Sequence, residues 1–163
     1  MQTKRWIGPV FVLLLFLFYG CAQTGVKKTQ SAMIVWKSPA FRYADMGFIS
    51  DNGKTLQVEI YGSGTALMRL KIDQDSVCMS RFQCMPRSRF NREFLSGNYP
   101  ADTLANIFRG RAIFNGAGMT KKRNGFTQKI EKTGFYRIDY RVFNNQIIFR
   151  DTINQIVIKV TKQ

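Results

Sequence analysis

From Met33 onward, apolar and polar residues alternate along most of the chain. Leu56, Val58 and Ile60 fall on one side of a strand, with Gln57, Glu59 and Tyr61 on the other, which is the period of two that a half-buried strand requires. Asp51-Asn52-Gly53 separates Gly47-Phe48-Ile49 from Thr55-Leu56 and predicts a hairpin turn. Gly62-Ser63-Gly64 closes a second hairpin, after which Ala66, Met68, Leu70 and Ile72 alternate with Leu67, Arg69 and Lys71 as far as Val77. Between Arg87 and Gly110 the spacing shifts to three and four, through Phe90, Phe94, Leu95, Leu104, Ile107 and Phe108. This predicts two short helices broken at Asn98-Tyr99-Pro100, with Pro100 and Asp102 in a first turn and Gly110 as a C-terminal stop. The period of two returns at Phe126 and runs through Tyr136, Ile138, Tyr140 and Val142, then Ile147 to Phe149, then Ile156, Ile158 and Val160. About seven to nine antiparallel strands with helices inserted midway predict an α+β, mostly β domain. The expected form is one strongly curved antiparallel sheet, an incomplete barrel, with the short helices covering its concave face.

The first residues follow another pattern. Lys4 and Arg5 precede an apolar stretch from Trp6 to Tyr19, which ends at Gly20-Cys21 and gives way to polar residues. The stretch is shorter than the roughly 20 residues of a membrane-spanning helix and has the order of an export signal. An uncleaved anchor and a secreted protein with a free cysteine are the alternatives. Gly20-Cys21 resembles the lipobox of bacterial lipoproteins, with Phe18 where that pattern prefers Leu and Tyr19 where it prefers a small residue. The resemblance implies cleavage before Cys21, acylation of Cys21 and, with Ala22 following, residence on the periplasmic face of the outer membrane. The expected organisation is a signal peptide over 1–20, a lipidated N-terminus and tether over 21–32, and a single domain over 33–163.

Charge narrows the partners. The chain has 25 Lys and Arg against 10 Asp and Glu, and setting aside Lys4 and Arg5 takes the net charge from +15 to +13. Such a balance suits an anionic partner. For an exported, lipid-anchored chain that means phospholipid head groups or lipopolysaccharide, and no nucleic acid is expected. Lys121, Lys122 and Arg123 form a candidate basic patch and Lys27-Lys28 a smaller cluster; scattered, solvated positions are the alternative. With Cys21 lipidated, Cys78 and Cys84 remain, and in an oxidising compartment they are expected to pair as a local staple contributing roughly 2 kcal/mol.

Little in the chain supports catalysis. There is no histidine, which removes the Ser-His-Asp and Cys-His arrangements and histidine-ligated metals. Asp73 and Asp75 precede Ser76 in a turn, and Gly62-Ser63-Gly64 joins two strands and does not open a helix as a phosphate loop does. A non-enzyme without cofactor or metal is expected. The 14 Phe and 7 Met build either an ordinary core or a cavity for disordered acyl chains, to which both residue types are suited. In the cavity reading its walls are Leu56, Val58, Ile60, Met68, Leu70, Phe94, Leu104, Ile107, Phe108, Tyr136, Ile138 and Tyr140.

Leu95-Ser96-Gly97-Asn98-Tyr99-Pro100, followed by Leu104, Ile107 and Gly110, resembles the middle of the LolB family of outer-membrane lipoprotein receptors. That family carries Leu and Gly before a Pro, then Leu, an aromatic residue and Gly at matching spacings, with Ile107 here replacing the aromatic. The order of lipobox, tether, hairpins including Phe48-Ile49-Ser50-Asp51, helical insertion and terminal strands is also similar over most of residues 33–163. The resemblance implies a monomeric half-barrel that accepts lipoprotein acyl chains from a periplasmic carrier and releases them into outer-membrane lipid. The family's protruding loop with an exposed Leu corresponds here to Gly62, Ser63, Gly64 and Thr65, a membrane-facing loop without an apolar tip. A second departure is Gly116 to Lys122, expected as a flexible basic loop. The rival expectation is a structural or assembly lipoprotein with a filled core, binding an envelope protein or lipopolysaccharide through its basic surface.

Overall fold

The computed structural model describes residues 27–80 and 83–163. Eleven strands form one unclosed sheet: β1 (Lys28–Lys37), β2 (Arg42–Asp51), β3 (Leu56–Gly62), β4 (Thr65–Ile72), β5 (Ser76–Met79), β6 (Gln83–Pro86), β7 (Met119–Lys122), β8 (Gly125–Lys132), β9 (Tyr136–Phe143), β10 (Gln146–Asp151) and β11 (Ile156–Lys162). Their spatial order is β6-β5-β4-β3-β2-β1-β11-β10-β9-β8-β7, and every neighbouring pair is antiparallel. The chain is therefore mostly β. Between the edge strands β6 and β7 lie two short helices, α1 (Arg87–Phe94) and α2 (Thr103–Arg109), and a single 3-10 turn at Phe114–Gly116. Gly110, with φ 70°, ends α2 in the left-handed conformation that favours glycine at a helix stop.

Three expectations change. β1 begins at Lys28, so residues 28–32 belong to the sheet and not to a tether; their side chains are largely polar and carry no alternation to announce a strand. Met119–Lys122, expected within a flexible loop, is an edge strand paired with β8, hidden because all four of its side chains are exposed. Helix α2 starts at Thr103, and Asp102 occupies its N-cap position. Residues 1–20 and Cys21, with the signal and lipidation expectations, lie outside the described residues.

One buried apolar cluster unites the sheet with the helices. Ile34 and Trp36 of β1, Leu56, Val58 and Ile60 of β3, Tyr140 of β9, Phe149 of β10 and Ile158 of β11 meet Phe90 of α1 and Ile107 and Phe108 of α2. The Trp36 and Phe108 rings lie 5.7 Å apart. Polar ties hold the insertion in place: Tyr140 Oη donates to the Arg111 carbonyl at 3.0 Å, and Asn91 Nδ2 donates to the Pro100 carbonyl at 2.8 Å. Gln128, fully buried on β8, accepts from the Ile113 N–H and donates to the Ile113 and Ala117 carbonyls at 2.8–2.9 Å. That clamp satisfies the backbone groups that flank the 3-10 turn, where Phe114 and Asn115 have φ of 49° and 52°.

β2 and β3 approach closely at Gly47, where an added Cβ would lie 2.1 Å from the Glu59 carbonyl oxygen. Main-chain atoms cannot retreat as a side-chain tip can. Gly47→Ala is expected to cost about 1–3 kcal/mol by overpacking, read from a denaturation midpoint; an unchanged midpoint would show that the two strands part freely.

Candidate functional site

An open recess of largely apolar character, about 490 Å3, lies where the starts of β2 and β4 meet the end of β5. Its walls are Phe41, Tyr43, Leu67, Met68 and Met79, with Arg69, Ser80 and Gln83 as polar members. Strand parity explains the arrangement. Phe41 and Tyr43 share the face of β2 that carries buried Ile49, so the core-facing row emerges from the interior at this end. At β4 the register shifts between Ile60 and Tyr61, and the extra residue of this bulge, Leu67, stays about half exposed at the mouth.

Behind the recess the aromatic rings are continuous. Phe41 stacks on Phe94 at 5.2 Å and 16° and meets Trp36 edge-on at 5.2 Å; Phe94 in turn contacts Phe90 at 4.9 Å. Phe41 thus stands between the open recess and the buried cluster. Trp36 is fully buried, yet its Nε1–H has no acceptor among the described residues, and neither does the Thr103 hydroxyl.

The twelve apolar residues expected as cavity walls all belong to the buried cluster or pack against it: Leu56, Val58, Ile60, Leu70, Leu104, Ile107, Phe108, Ile138 and Tyr140 are almost fully enclosed, while Phe94 and Tyr136 are partly so. Only Met68 of the set also borders the recess. Phe41, Tyr43 and Met79, which form most of the apolar wall, carry no distinguishing pattern in the sequence because they stand at strand ends.

Ser63 and Gly64 form the β3–β4 turn with φ of 50° and 79°, as a type I′ hairpin requires. Gly62 supplies the space across which Leu67 lies, an added Cβ there falling 2.5 Å from Leu67 Cδ1. The loop Gly62 to Thr65 therefore has an apolar neighbour at its base and none at its tip. Lys121 and Lys122 are exposed on the edge strand and Arg123 on the turn after it. Lysines at such a position also prevent further strands from pairing. Cys78 and Cys84 are joined by a disulfide across a directly opposed pair of β5 and β6.

Sequence inspection misses a polar anchor of the helical insertion. Asp151, 1% exposed, accepts from Tyr99 Oη at 2.5 Å, from Asn154 Nδ2 at 2.6 Å and from the Arg137 and Ile153 N–H groups at 3.1 and 2.9 Å. Burial pushes the Asp151 carboxyl up, but these donors outweigh it and hold the group below its ordinary value. Burial, then Asp151 itself, raises the Tyr99 phenol. A neutral hydroxyl donating to a carboxylate is the resulting state.

Among the described residues no helix is long and apolar enough to cross a membrane, and no group of three or more acidic or cysteine side chains could hold a metal ion. No family model matches the chain, and no curated protein matches it.

Proposed function

We propose that the domain is a membrane-tethered acceptor of acyl chains, LolB-like in role, which takes lipoproteins from a periplasmic carrier and passes them to outer-membrane lipid. The observation that carries this reading is the apolar recess bounded by Phe41 and Met68. Its volume falls within the roughly 300–1,000 Å3 of small-molecule sites, and its methionine and aromatic walls adapt to a flexible chain. In this reading the sheet is a half-barrel, α1 and α2 cover its concave face, and an acyl chain enters at the recess and extends inward as Phe41 swings from Phe94. Transfer needs no fuel if the recess holds the chain more tightly than the carrier and less tightly than the bilayer. Cys21 is the acylated anchor, and the protein performs no catalysis.

Retained lipid is the test. Residues 22–163, purified without detergent, should carry acyl lipid detectable by mass spectrometry in near-stoichiometric amount. Leu67→Glu combined with Met79→Glu should leave the fold intact and reduce the retained lipid about tenfold, because each carboxylate opposes entry of an apolar chain. A folded protein that carries no lipid before or after the substitutions would overturn the acceptor reading.

The enclosure of almost all the expected cavity residues favours a second reading, a structural lipoprotein with a filled core that binds through its basic surface. It predicts a lipid-free domain whose binding to an envelope partner is weakened by salt and by charge reversal at Lys121, Lys122 and Arg123.

A further inference from the structure

At the end of β1 and β2 away from the recess, the apolar patterning breaks in a specific way. The core-facing row of β1, Ala32, Ile34 and Trp36, continues backwards through Gln30 to Lys28, and the core-facing row of β11, Ile156, Ile158 and Val160, ends on Lys162. Two lysines thus stand on the inner face of the sheet, where the pattern calls for apolar side chains. β11 stops at Lys162, opposite Ala32, so Lys28 and Gln30 pair with β2 on one side only, leaving a cleft of about 180 Å3.

The far wall of the cleft is Arg109 at the end of α2. Arg109 Nε and Nη2 donate to the two Asp51 carboxylate oxygens at 2.9 and 3.0 Å, and that hydrogen bond holds the Asp51 carboxyl below its ordinary value. Asp51 is the one carboxylate in the lining and is already matched by Arg109. Lys28 and Lys162 form no ion pair among the described residues. Lys162 is half-buried, and burial followed by the proximity of Lys28 lowers its pKa. Exposed Lys28 and half-buried Lys162 thus line one cleft with Arg109, against the single carboxylate of Asp51, which also acts on Lys162 but is engaged by Arg109, a surplus of positive charge that an anion would relieve.

We propose that this cleft binds a single phosphate group, held between the ammonium groups of Lys28 and Lys162 beside the fixed Arg109–Asp51 pair. Lys28 follows Cys21 by seven residues, a reach of at most about 25 Å. A phospholipid or lipopolysaccharide head group is thus one source and free phosphate the other. Only the lipid source rests on the membrane-tether reading; the phosphate site does not require an acyl-binding recess.

Titration calorimetry of the full chain in a neutral detergent, with inorganic phosphate at constant ionic strength, tests the site. Lys28→Gln with Lys162→Gln should weaken binding about tenfold or more, the scale of a lost charge-assisted contact. Lys129→Gln with Lys159→Gln, which removes the same charge from exposed positions elsewhere, should leave it unchanged. Absence of phosphate binding in the parent chain, or equal weakening in both pairs, would overturn the proposal. Co-flotation of the unacylated residues 22–163 with phosphatidylglycerol vesicles, absent with phosphatidylcholine and lost in the Lys28/Lys162 pair alone, assigns the site to a lipid head group. If phosphate binding is lost in that pair while flotation is unaffected, the site stands with free phosphate as its source. Retained acyl lipid, measured separately, reports on the recess whatever the cleft does.

Discussion

Asp151→Asn should lower the stability of the domain by about 3 kcal/mol, the scale of a broken, buried charge-assisted network, and its melting midpoint by about 10 °C. The carboxylate offers only acceptors, and the Tyr99 hydroxyl, the Asn154 amide and two or more backbone N–H groups are arranged to donate to it. An amide keeps one oxygen and turns two N–H donors towards groups that also donate. The sign of the pH dependence follows. Because the folded state holds the Asp151 carboxyl low, its contribution is complete above the ordinary aspartate value of about 3.9 and is lost as pH falls through the lower folded value. The gap in denaturation midpoint between the parent protein and the variant should therefore narrow in acid. A gap that stayed constant down to pH 2 would place the effect elsewhere than on the ionised carboxylate. The expected consequence reaches beyond the β10–β11 turn, since Tyr99 lies between α1 and α2 and loosening it frees the insertion.

Trp36→Ala should cost about 3–5 kcal/mol, as other large-to-small substitutions of buried aromatic residues do. Trp36 is among the largest fully buried side chains, and its ring joins Phe41 at the recess to Phe108 on α2. Trp36→Phe should be far milder. It gives up part of the packing but also removes a buried N–H that lacks an acceptor, a liability worth about 1–3 kcal/mol. Chemical denaturation of the three proteins checks this. If Phe proved as costly as Ala, the indole N–H would have to be satisfied, and Trp36 would be held by more than packing.

The sequence made the central strands plain because each has one buried and one exposed face, as in Leu56 to Tyr61 and Tyr136 to Val142. It hid β1's first residues and β7, where every side chain is polar or exposed, so that alternation has nothing to act on. The helices were visible from Phe90, Phe94, Leu104, Ile107 and Phe108, which bury one side of each. The apolar recess was not legible, since its walls come from the ends of strands distant in the chain and depend on a bulge at Leu67. The Asp151 anchor escaped for a similar reason: its side-chain partner Tyr99 lies 52 residues away, and a lone aspartate at a turn looks solvated. The inner-face lysines were present in the sequence, but only the pairing of β1 with β11 brings Lys28 and Lys162 to one place.

That pairing also sets when the protein can fold. The first and last strands lie side by side at the middle of the sheet, with β2 to β6 on one flank and β7 to β10 on the other. Until residues 156–162 arrive, the two flanks share no strand contact along this seam, and the core-facing row of β1 has no β11 neighbour. A chain that emerges from its N-terminus therefore stays without its central seam until residues 156–162 are available. The order of the strands thus makes closure of the core a late event for any chain that emerges from its N-terminus.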